Sequence, residues 1–187
     1  MNSGYAPVMS TTGHKDHWAP PLSALAVVIL GIGAAAAQAD DLDLPAPTGE
    51  VVLTITGNIA HQNAPDSALL DAAMIDALPR FVLETSTVVT DGVNRFDGVL
   101  MRDLLDLVGA EGKTVTATAL NDYIIDIPME DFEGFDVVAA THMDGELLLP
   151  SDKGPLWIVY PRDDHEELQD IRYDYRWVWQ LIHLDIQ

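Results

Sequence analysis

Alternating apolar and polar positions predict most of the strands in this chain. Residues 51–57, VVLTITG, alternate apolar residues with threonines and end at a glycine, as is typical of a strand with one buried face. The same pattern predicts six later strands: FVLETST at 81–87, TVTATAL at 114–120, YIIDIP at 123–128, FDVVAATH at 135–142, ELLLP at 146–150 and GPLWIVYP at 154–161. An Asp-Gly pair at 144–145 predicts a hairpin turn between two of them.

Apolar residues at helical spacing predict two helices. DSALLDAAMIDALP, residues 66–79, has Asp66 as a candidate N-cap and apolar residues along one side. VLMRDLLDLVGAEG, residues 99–112, has leucines and valines at helical spacing and places Gly109 as a candidate C-cap. The second of these patterns is the stronger helix signal.

Two segments carry weaker patterns. TDGVNRFDG, residues 90–98, is predicted to be a loop because turn-favouring pairs lie at both of its ends. The segment 173–187 mixes periods and fits either a helix or a strand. Strands outnumber helices and short turns join most neighbours, so the sequence favours an α+β fold over a doubly wound parallel sheet.

The first 39 residues predict an export signal. An apolar stretch at 22–37 ends in the small-x-small pattern Ala-Gln-Ala, which predicts cleavage after Ala39. Residues 40–50 are acidic and proline-containing, and they predict a flexible lead-in to a domain that spans 51–187. We therefore expect a soluble, exported protein with one folded domain.

The charge balance is strongly acidic. The chain has 9 Lys and Arg against 30 Asp and Glu, a net charge of −21. Cleavage after Ala39 would remove Lys15 and Asp16 together and would leave that net charge unchanged. Repulsion of polyanions argues against nucleic acid as a partner. The absence of cysteine excludes disulfides, thiolate metal sites and cysteine nucleophiles.

The triplet Asn121, Asp122 and Tyr123 is the strongest candidate for a binding site. It follows a predicted buried strand and combines an amide, a carboxylate and an aromatic ring with a hydroxyl. Such groups suit a planar, hydrogen-bonding heterocycle. The alternative is that the first two residues only make a tight turn between strands, with Tyr123 packed at its edge.

Two further candidates also lie at the ends of predicted strands. Thr90 and Asp91 follow the strand at 81–87, and loops after strands commonly hold ligand groups. Tyr160 and Arg162 lie at the end of GPLWIVYP, where a guanidinium can contact a carbonyl or a carboxylate. The alternatives are an ordinary Asp-Gly turn at the first position and a salt bridge of Arg162 to a nearby acid.

Four segments, in this order, resemble the molybdopterin-binding domain of the sulfite oxidase superfamily: FDGVLMRDLLDLVGA, VTATALNDYIIDIP, GPLWIVYPRD and RWVWQLIHLDI. The resemblance covers about 50–187 and implies that domain's α+β fold, with mixed sheets and a few short helices. Enzymes of the superfamily hold molybdenum through a cysteine thiolate, which this chain lacks. The resemblance therefore implies binding without catalysis. The alternative is a molybdopterin-dependent oxidoreductase, or its accessory subunit, with another metal ligand.

Within this superfamily the chain resembles a subgroup of small, exported, cysteine-free proteins that carry an NDY motif, the PruR-like pterin-binding regulators. This resemblance implies a periplasmic protein that binds a reduced, unphosphorylated pterin rather than molybdopterin. It also implies signalling through the periplasmic domain of a membrane protein that controls cyclic-di-GMP turnover.

The resemblance implies one kind of ligand contact for each predicted site residue. The carboxylate would come from Asp122 or Asp91, the donor from Asn121 or Arg162, and the ring face from Tyr123 or Trp177. The relatives carry an aromatic residue where this chain has Val89, so one aromatic contact of the family pocket is missing here.

Overall fold

The computed structural model describes residues 43–187. The predicted signal peptide, residues 1–39, lies outside the described residues, so its cleavage stays a prediction. In the part of the chain that is described, no helix is long and apolar enough to cross a membrane.

Within residues 43–187, ten strands form two sheets: β1 (Val51–Gly57), β2 (Ser67–Asp71), β3 (Arg80–Ser86), β4 (Val93–Leu100), β5 (Thr114–Ala119), β6 (Ile124–Pro128), β7 (Val138–Met143), β8 (Glu146–Leu147), β9 (Trp157–Val159) and β10 (Leu181–Ile186). The first sheet has the order β2-β1-β10-β5-β6 and the second the order β3-β4-β7-β8, with β9 also paired to β7. Only β1 and β10 pair in parallel; the other named strand pairs are antiparallel. The first sheet is therefore mixed and the second antiparallel, and together with a few short helices between strands they confirm the α+β prediction.

The alternating strands place their apolar residues in one core. Leu53 and Ile55 of β1 are fully buried, as are Val115 and Ala117 of β5. In the second sheet, β4 and β7 approach so closely that a Cβ on Gly98 would lie 2.2 Å from the carbonyl oxygen of Ala139. Glycine is therefore required at that position of β4.

The four α-helices within the described residues are short: α1 (Ala72–Asp76), α2 (Met101–Leu107), α3 (Met129–Gly134) and α4 (Ile171–Asp174). A 3₁₀ helix, Glu166–Gln169, precedes α4. The helix predicted in 99–112 is confirmed as α2, and Gly109 follows it with a φ of +59°, as expected of a glycine at a helix end. The short helix α3 was not predicted.

The helix predicted over 66–79 is wrong in its first half. Ser67–Asp71 is strand β2, because pairing with β1 buries Ala68 and Leu70 on one face. The helix begins only at α1, and its N-cap is Asp71, whose Oδ1 accepts a hydrogen bond from Met74 N–H at 2.9 Å. Tertiary pairing therefore overrode the helical spacing.

Two other weak predictions are resolved. The loop predicted over 90–98 is mostly wrong, because Val93–Leu100 forms strand β4 between β3 and β7. The mixed segment 173–187 holds the end of α4 and then strand β10, which lies between β1 and β5.

The described part of the lead-in is attached to the folded domain. Residues 43–50, predicted to be flexible, are joined to it by hydrogen bonds. The backbone N–H groups of Thr48 and Gly49 donate to the Asp71 carboxylate at 2.6 and 2.7 Å. Asp71 thereby caps α1 and fastens the lead-in with the same side chain.

Candidate functional site

An aromatic groove lies beside the turn between β5 and β6. Its volume is about 240 Å³, smaller than the roughly 300–1,000 Å³ of sites for drug-sized ligands. Its walls come from the β3–β4 loop, the β5–β6 turn and the segment between α4 and β10. The lining residues are Val88, Val89, Asn121, Tyr123, Asp174, Tyr175, Trp177 and Trp179. We refer to this site as the aromatic groove.

Other surface depressions among residues 43–187 are larger, with volumes of about 280, 350, 460 and 460 Å³. One of them is lined by Arg95 and Asp97, which already pair with each other at 2.8 Å. Another has a mostly apolar wall that also includes Glu50, Asp76, Thr141 and His142. Among these depressions of the described chain, the aromatic groove combines ring faces with polar atoms that have no partner, so it is the best candidate for binding a planar ligand.

The NDY triplet forms the turn of the β5–β6 hairpin and also contributes to the groove. Asp122 N–H donates to the Ala119 carbonyl at 3.1 Å, and Asp122 has a φ of +64°. Asn121 Oδ1 accepts from Tyr123 N–H at 3.1 Å, as in an Asx turn. Asn121 and Tyr123 line the groove, whereas the exposed Asp122 does not. The turn interpretation is therefore right, and two of its residues are also site residues.

Tyr123 connects the turn to the C-terminal wall of the groove. Its hydroxyl donates to the Tyr175 carbonyl at 2.8 Å. Partial burial raises the pKa of Tyr123, and the neighbouring Tyr175 adds to the rise. The hydroxyl therefore stays a neutral donor at physiological pH.

The floor of the groove is a cluster of aromatic side chains. Trp177 is 4% exposed and packs edge-on against Trp157, at 6.5 Å between ring centroids. Trp179 contacts the same Trp157 ring at 6.5 Å. Because Trp157 is fully buried, both groove tryptophans rest on a fixed support. Trp179, which is half-buried, and the exposed Tyr123 can offer ring faces to a planar ligand.

Two polar atoms at the groove have no hydrogen-bond partner within residues 43–187. They are Asp174 Oδ1 and Trp177 Nε1, and both are buried from solvent. One is an acceptor and the other a donor. Buried polar atoms are usually paired, so these two are candidates for contact with a ligand.

Tyr160 lies behind the groove and does not line it. The side chain is fully buried, and its hydroxyl donates to Asp131 Oδ2 at 2.8 Å. Burial, together with the Asp131 charge, raises the pKa of Tyr160 well above its ordinary value. The Tyr160 ring packs against Trp177 at 6.1 Å. Tyr160 therefore supports the groove floor and does not lie where the predicted ligand contact would be.

The same buried carboxylate anchors the C-terminal wall. Arg176 Nη1 donates to Asp131 Oδ2 and forms an ion pair with it. Asp131 is 4% exposed and lies on α3. Arg176 also packs over the Tyr173 ring, 4.6 Å from its centroid. These contacts hold the segment that carries the groove residues.

The β3–β4 loop contributes Val88 and Val89 rather than the predicted Thr90 and Asp91. The Thr90 hydroxyl lies 2.7 Å from the Thr87 hydroxyl and 2.6 Å from the Asn94 amide oxygen, so it shapes the loop. Asp91 is exposed and is not among the groove residues. The loop therefore contributes apolar surface to the groove through Val88 and Val89.

Arg162 lies near β3, away from the residues that line the groove. Its Nη1 is 3.4 Å from Ser86 Oγ, and its Nε is buried without a partner among the described residues. In that part of the chain it has no carboxylate within 4.0 Å, so the predicted salt bridge is absent there. The neighbouring Asp163 instead accepts two 2.6 Å hydrogen bonds from Ser86, which lower the pKa of Asp163.

The structure brings three of the eight predicted residues together in the groove: Asn121, Tyr123 and Trp177. The site also contains residues that the sequence analysis missed: Val88, Asp174, Tyr175 and Trp179. Three of these four lie in YDYRWVWQ, where the density of aromatic residues was the available signal. The mixed period of that segment hid which side chains face the same way.

The fold is the α+β type of the sulfite oxidase molybdopterin-binding domain, with one mixed sheet, one antiparallel sheet and few short helices. A family model described as the oxidoreductase molybdopterin binding domain matches residues 81–163, from β3 to just beyond β9. The match covers a little under half of the chain and supports placing it in that superfamily. It includes Asn121 and Tyr123 but ends before Asp174. The chain matches no curated protein.

The groove residues fit a pterin ring but not a phosphorylated, metal-bearing molybdopterin. The ring can lie against tryptophan and tyrosine faces, with donor and acceptor atoms at its edge. A phosphate calls for basic contacts, and none of the lining residues in the described chain is Lys, Arg or His. The chain has no cysteine to supply a thiolate. No group of three metal-ligating side chains occurs within residues 43–187.

Proposed function

We propose that the protein binds a reduced, unphosphorylated pterin in the aromatic groove and does not catalyse a reaction on it. The observation that carries the proposal is the set of four aromatic residues around the groove: Tyr123, Tyr175, Trp177 and Trp179. Offset stacking on such faces favours a flat heterocycle. The missing thiolate and the lack of basic lining residues argue for binding over oxo-transfer chemistry.

The net charge supports an unphosphorylated ligand. A chain of net charge −21 repels anions unless a local basic pocket opposes it. In the described structure Arg176, which follows Tyr175, is already paired with Asp131. A neutral pterin avoids this repulsion, whereas a phosphorylated one does not.

Tryptophan fluorescence tests the proposal directly. Adding a tetrahydropterin under anaerobic conditions should quench emission, because Trp177 and Trp179 both line the groove. Trp179→Phe should reduce the quenching amplitude while the Trp177 contribution remains. Absence of quenching in the wild-type protein, with no heat of binding in calorimetry, would contradict the proposal.

A molybdopterin-dependent oxidoreductase remains the second candidate, because the matching family model is described by that activity. Metal analysis of protein purified from its native host separates the two functions. The binding function predicts substoichiometric molybdenum and tungsten. Either metal at one atom per chain would favour the enzyme.

We also propose that the protein acts in the periplasm through the periplasmic domain of a membrane protein that controls cyclic-di-GMP. An exposed apolar surface supports the existence of a partner: Val51, Leu120, Leu147 and Leu149 are 38–58% exposed and line one depression. We call these four residues the apolar face. A second copy is disfavoured as the occupant, because two chains of −21 repel each other. The expected partner segment is apolar with basic flanks.

The apolar face lies next to the groove along the chain. Leu120 belongs to the apolar face and the following residue, Asn121, lines the groove. Leu120 N–H also donates to the Gln180 carbonyl at 2.8 Å, one residue after Trp179. A ligand that moves the β5–β6 turn would therefore move part of the proposed partner surface.

Two leucine substitutions test the partner surface. Leu147→Asp combined with Leu149→Asp should abolish binding to the periplasmic domain of the proposed membrane partner. Pterin binding should persist, since neither residue lines the groove. Val93→Asp is a matched control, because that residue is 64% exposed and is not among the residues of the apolar face. Unchanged partner binding in the double variant would contradict the proposal.

A further inference from the structure

We infer that Asp174 determines ligand specificity by accepting hydrogen bonds from the amino-pyrimidinone edge of the pterin. In this arrangement the two carboxylate oxygens receive the ring N3–H and the 2-amino group. The inference rests on the proposed function and names the recognition group within the same groove. Sequence analysis had left this role between Asp122 and Asp91.

The buried oxygen of the half-buried Asp174 differs in its surroundings from the two buried carboxylates of the described chain. Asp71 accepts from Thr48, Gly49 and Met74, and Asp131 accepts from Tyr160 and Arg176. Asp174 Oδ1, by contrast, is buried without a hydrogen-bond partner among residues 43–187. A carboxylate oxygen withdrawn from water and left unpaired is costly, so a donor supplied by a ligand has a specific place to bind.

The position of Asp174 also suits the role. It is the last residue of α4 and lines the groove together with Tyr175 and Trp177. Asp122 and Asp91 are exposed and do not line the groove. Asp174 is therefore the only carboxylate among the described residues that line this site.

A complementary donor lies three residues further on. Trp177 Nε1 is buried and unpartnered in the described structure, and an indole N–H can only donate. The amino-pyrimidinone edge presents two adjacent donors followed by a carbonyl acceptor. Asp174 and Trp177 offer the matching acceptor and donor from one short segment of chain.

The two arginines nearest to Asp174 in sequence, Arg172 and Arg176, do not pair with it in the described structure, and Arg172 instead pairs with Asp170 at 2.9 Å. Arg176 donates to Asp131 and packs over Tyr173, so in the described structure its guanidinium is held away from the Asp174 carboxylate. The donors for Asp174 must then come from the ligand or from water. A ligand with an N–H pair gains most from this arrangement, because each N–H donates to an ionised acceptor.

The test compares two ligands that differ at a single ring position. Pterin carries a 2-amino group, whereas lumazine carries a 2-oxo group that would face the carboxylate oxygens with a like partial charge. In the same reduced state, the wild-type protein should prefer pterin by about tenfold to a hundredfold, the range expected for hydrogen bonds to a charged group. Asp174→Asn keeps the side-chain shape and should remove most of that preference.

Control variants distinguish a failure of this inference from a failure of the proposed function. Asp91→Asn makes the same chemical change at an exposed position and should leave both dissociation constants unchanged, and circular dichroism should confirm that each variant is folded. Pterin binding with an undiminished preference in Asp174→Asn would overturn the inference but not the proposed function. Failure of the wild-type protein to bind pterin would overturn the proposed function itself. Binding of choline in place of pterin would identify a cation cage and overturn both.

Discussion

Asp71 and Asp131 are two buried carboxylates that act as structural connectors. Asp71 joins the lead-in to α1, and Asp131 joins α3 to Tyr160 and Arg176. Each places several donors around one carboxylate, which is how a buried charge becomes tolerable. Asp174 Oδ1 is also buried but has no such donor among the described residues, and that difference is why we assign Asp174 to the proposed ligand.

Asp71 should make stability depend on acid pH. Backbone hydrogen bonds from Met74 and Gly49 lower the pKa of Asp71 to about 2, below the value near 4 expected in the unfolded chain. Between those two values the unfolded state binds more protons, so stability falls as pH decreases from about 4 to about 2. The contribution is fully present above that range.

The variant Asp71→Asn isolates this contribution. The wild-type protein should have the higher urea midpoint at pH 6, and the gap between the two proteins should narrow as pH falls toward 2. Asp91→Asn, a change at an exposed aspartate, should not alter the pH dependence. A gap of constant size across the whole range would show that the Asp71 charge is not responsible.

Single elements differ in how much of their structure the sequence determines. The strands β1, β3 and β5 follow from alternation alone, because each has one buried face. The segment 66–79 does not, because its leucines fit a helical face as well as a strand face. Pairing with β1 favours the strand. A local sequence pattern does not reveal this pairing, because the paired residues are separated along the chain.

The candidate site was predictable to a similar degree. Asn121 and Tyr123 were found because they lie in a polar interruption between two clear strands. Asp174 was not found, because its segment has no regular period and its role comes from burial without a partner. Burial of that kind arises from the packing of α4 and the tail against the two sheets, which no local sequence pattern encodes.

The β5–β6 turn gives a test at the scale of one element. Asp122 has a left-handed φ of +64° and is exposed, so its backbone conformation matters more than its contacts. Asp122→Gly should keep stability close to that of the wild-type protein. Asp122→Val should lower the free energy of unfolding by about 1–2 kcal/mol, since a β-branched residue disfavours this region.

Urea denaturation and pterin titration of the Asp122 variants check two points together. The order of stability tests the turn conformation. Unchanged pterin affinity in Asp122→Gly tests the placement of this side chain outside the groove. A large loss of affinity in that variant would mean that Asp122, and not Asp174, holds the ligand.

At the scale of the whole molecule, repulsion between surface acids reduces the stability that the hydrophobic core provides. The chain carries net −21, and most of its arginines within the described structure already pair with carboxylates. The surplus acids therefore repel one another across the surface. The same field that destabilises the isolated protein attracts a basic partner and accelerates its association.

Salt should therefore stabilise the isolated protein and weaken its complex. Raising NaCl from a low concentration to about 0.5 M shortens the Debye length to a few ångströms and screens the repulsion between surface acids. Relief of about 1 kcal/mol corresponds to a rise in Tm of roughly 2–4 °C for a chain of this size. Differential scanning calorimetry measures that rise, and glycerol, which screens no charge, serves as the control additive. Over the same range of NaCl concentration, the association rate with the proposed basic partner should fall. Pterin affinity should stay constant, because the proposed ligand is neutral. A Tm that falls with salt would mean that specific ion pairs such as Arg176–Asp131 outweigh the general repulsion.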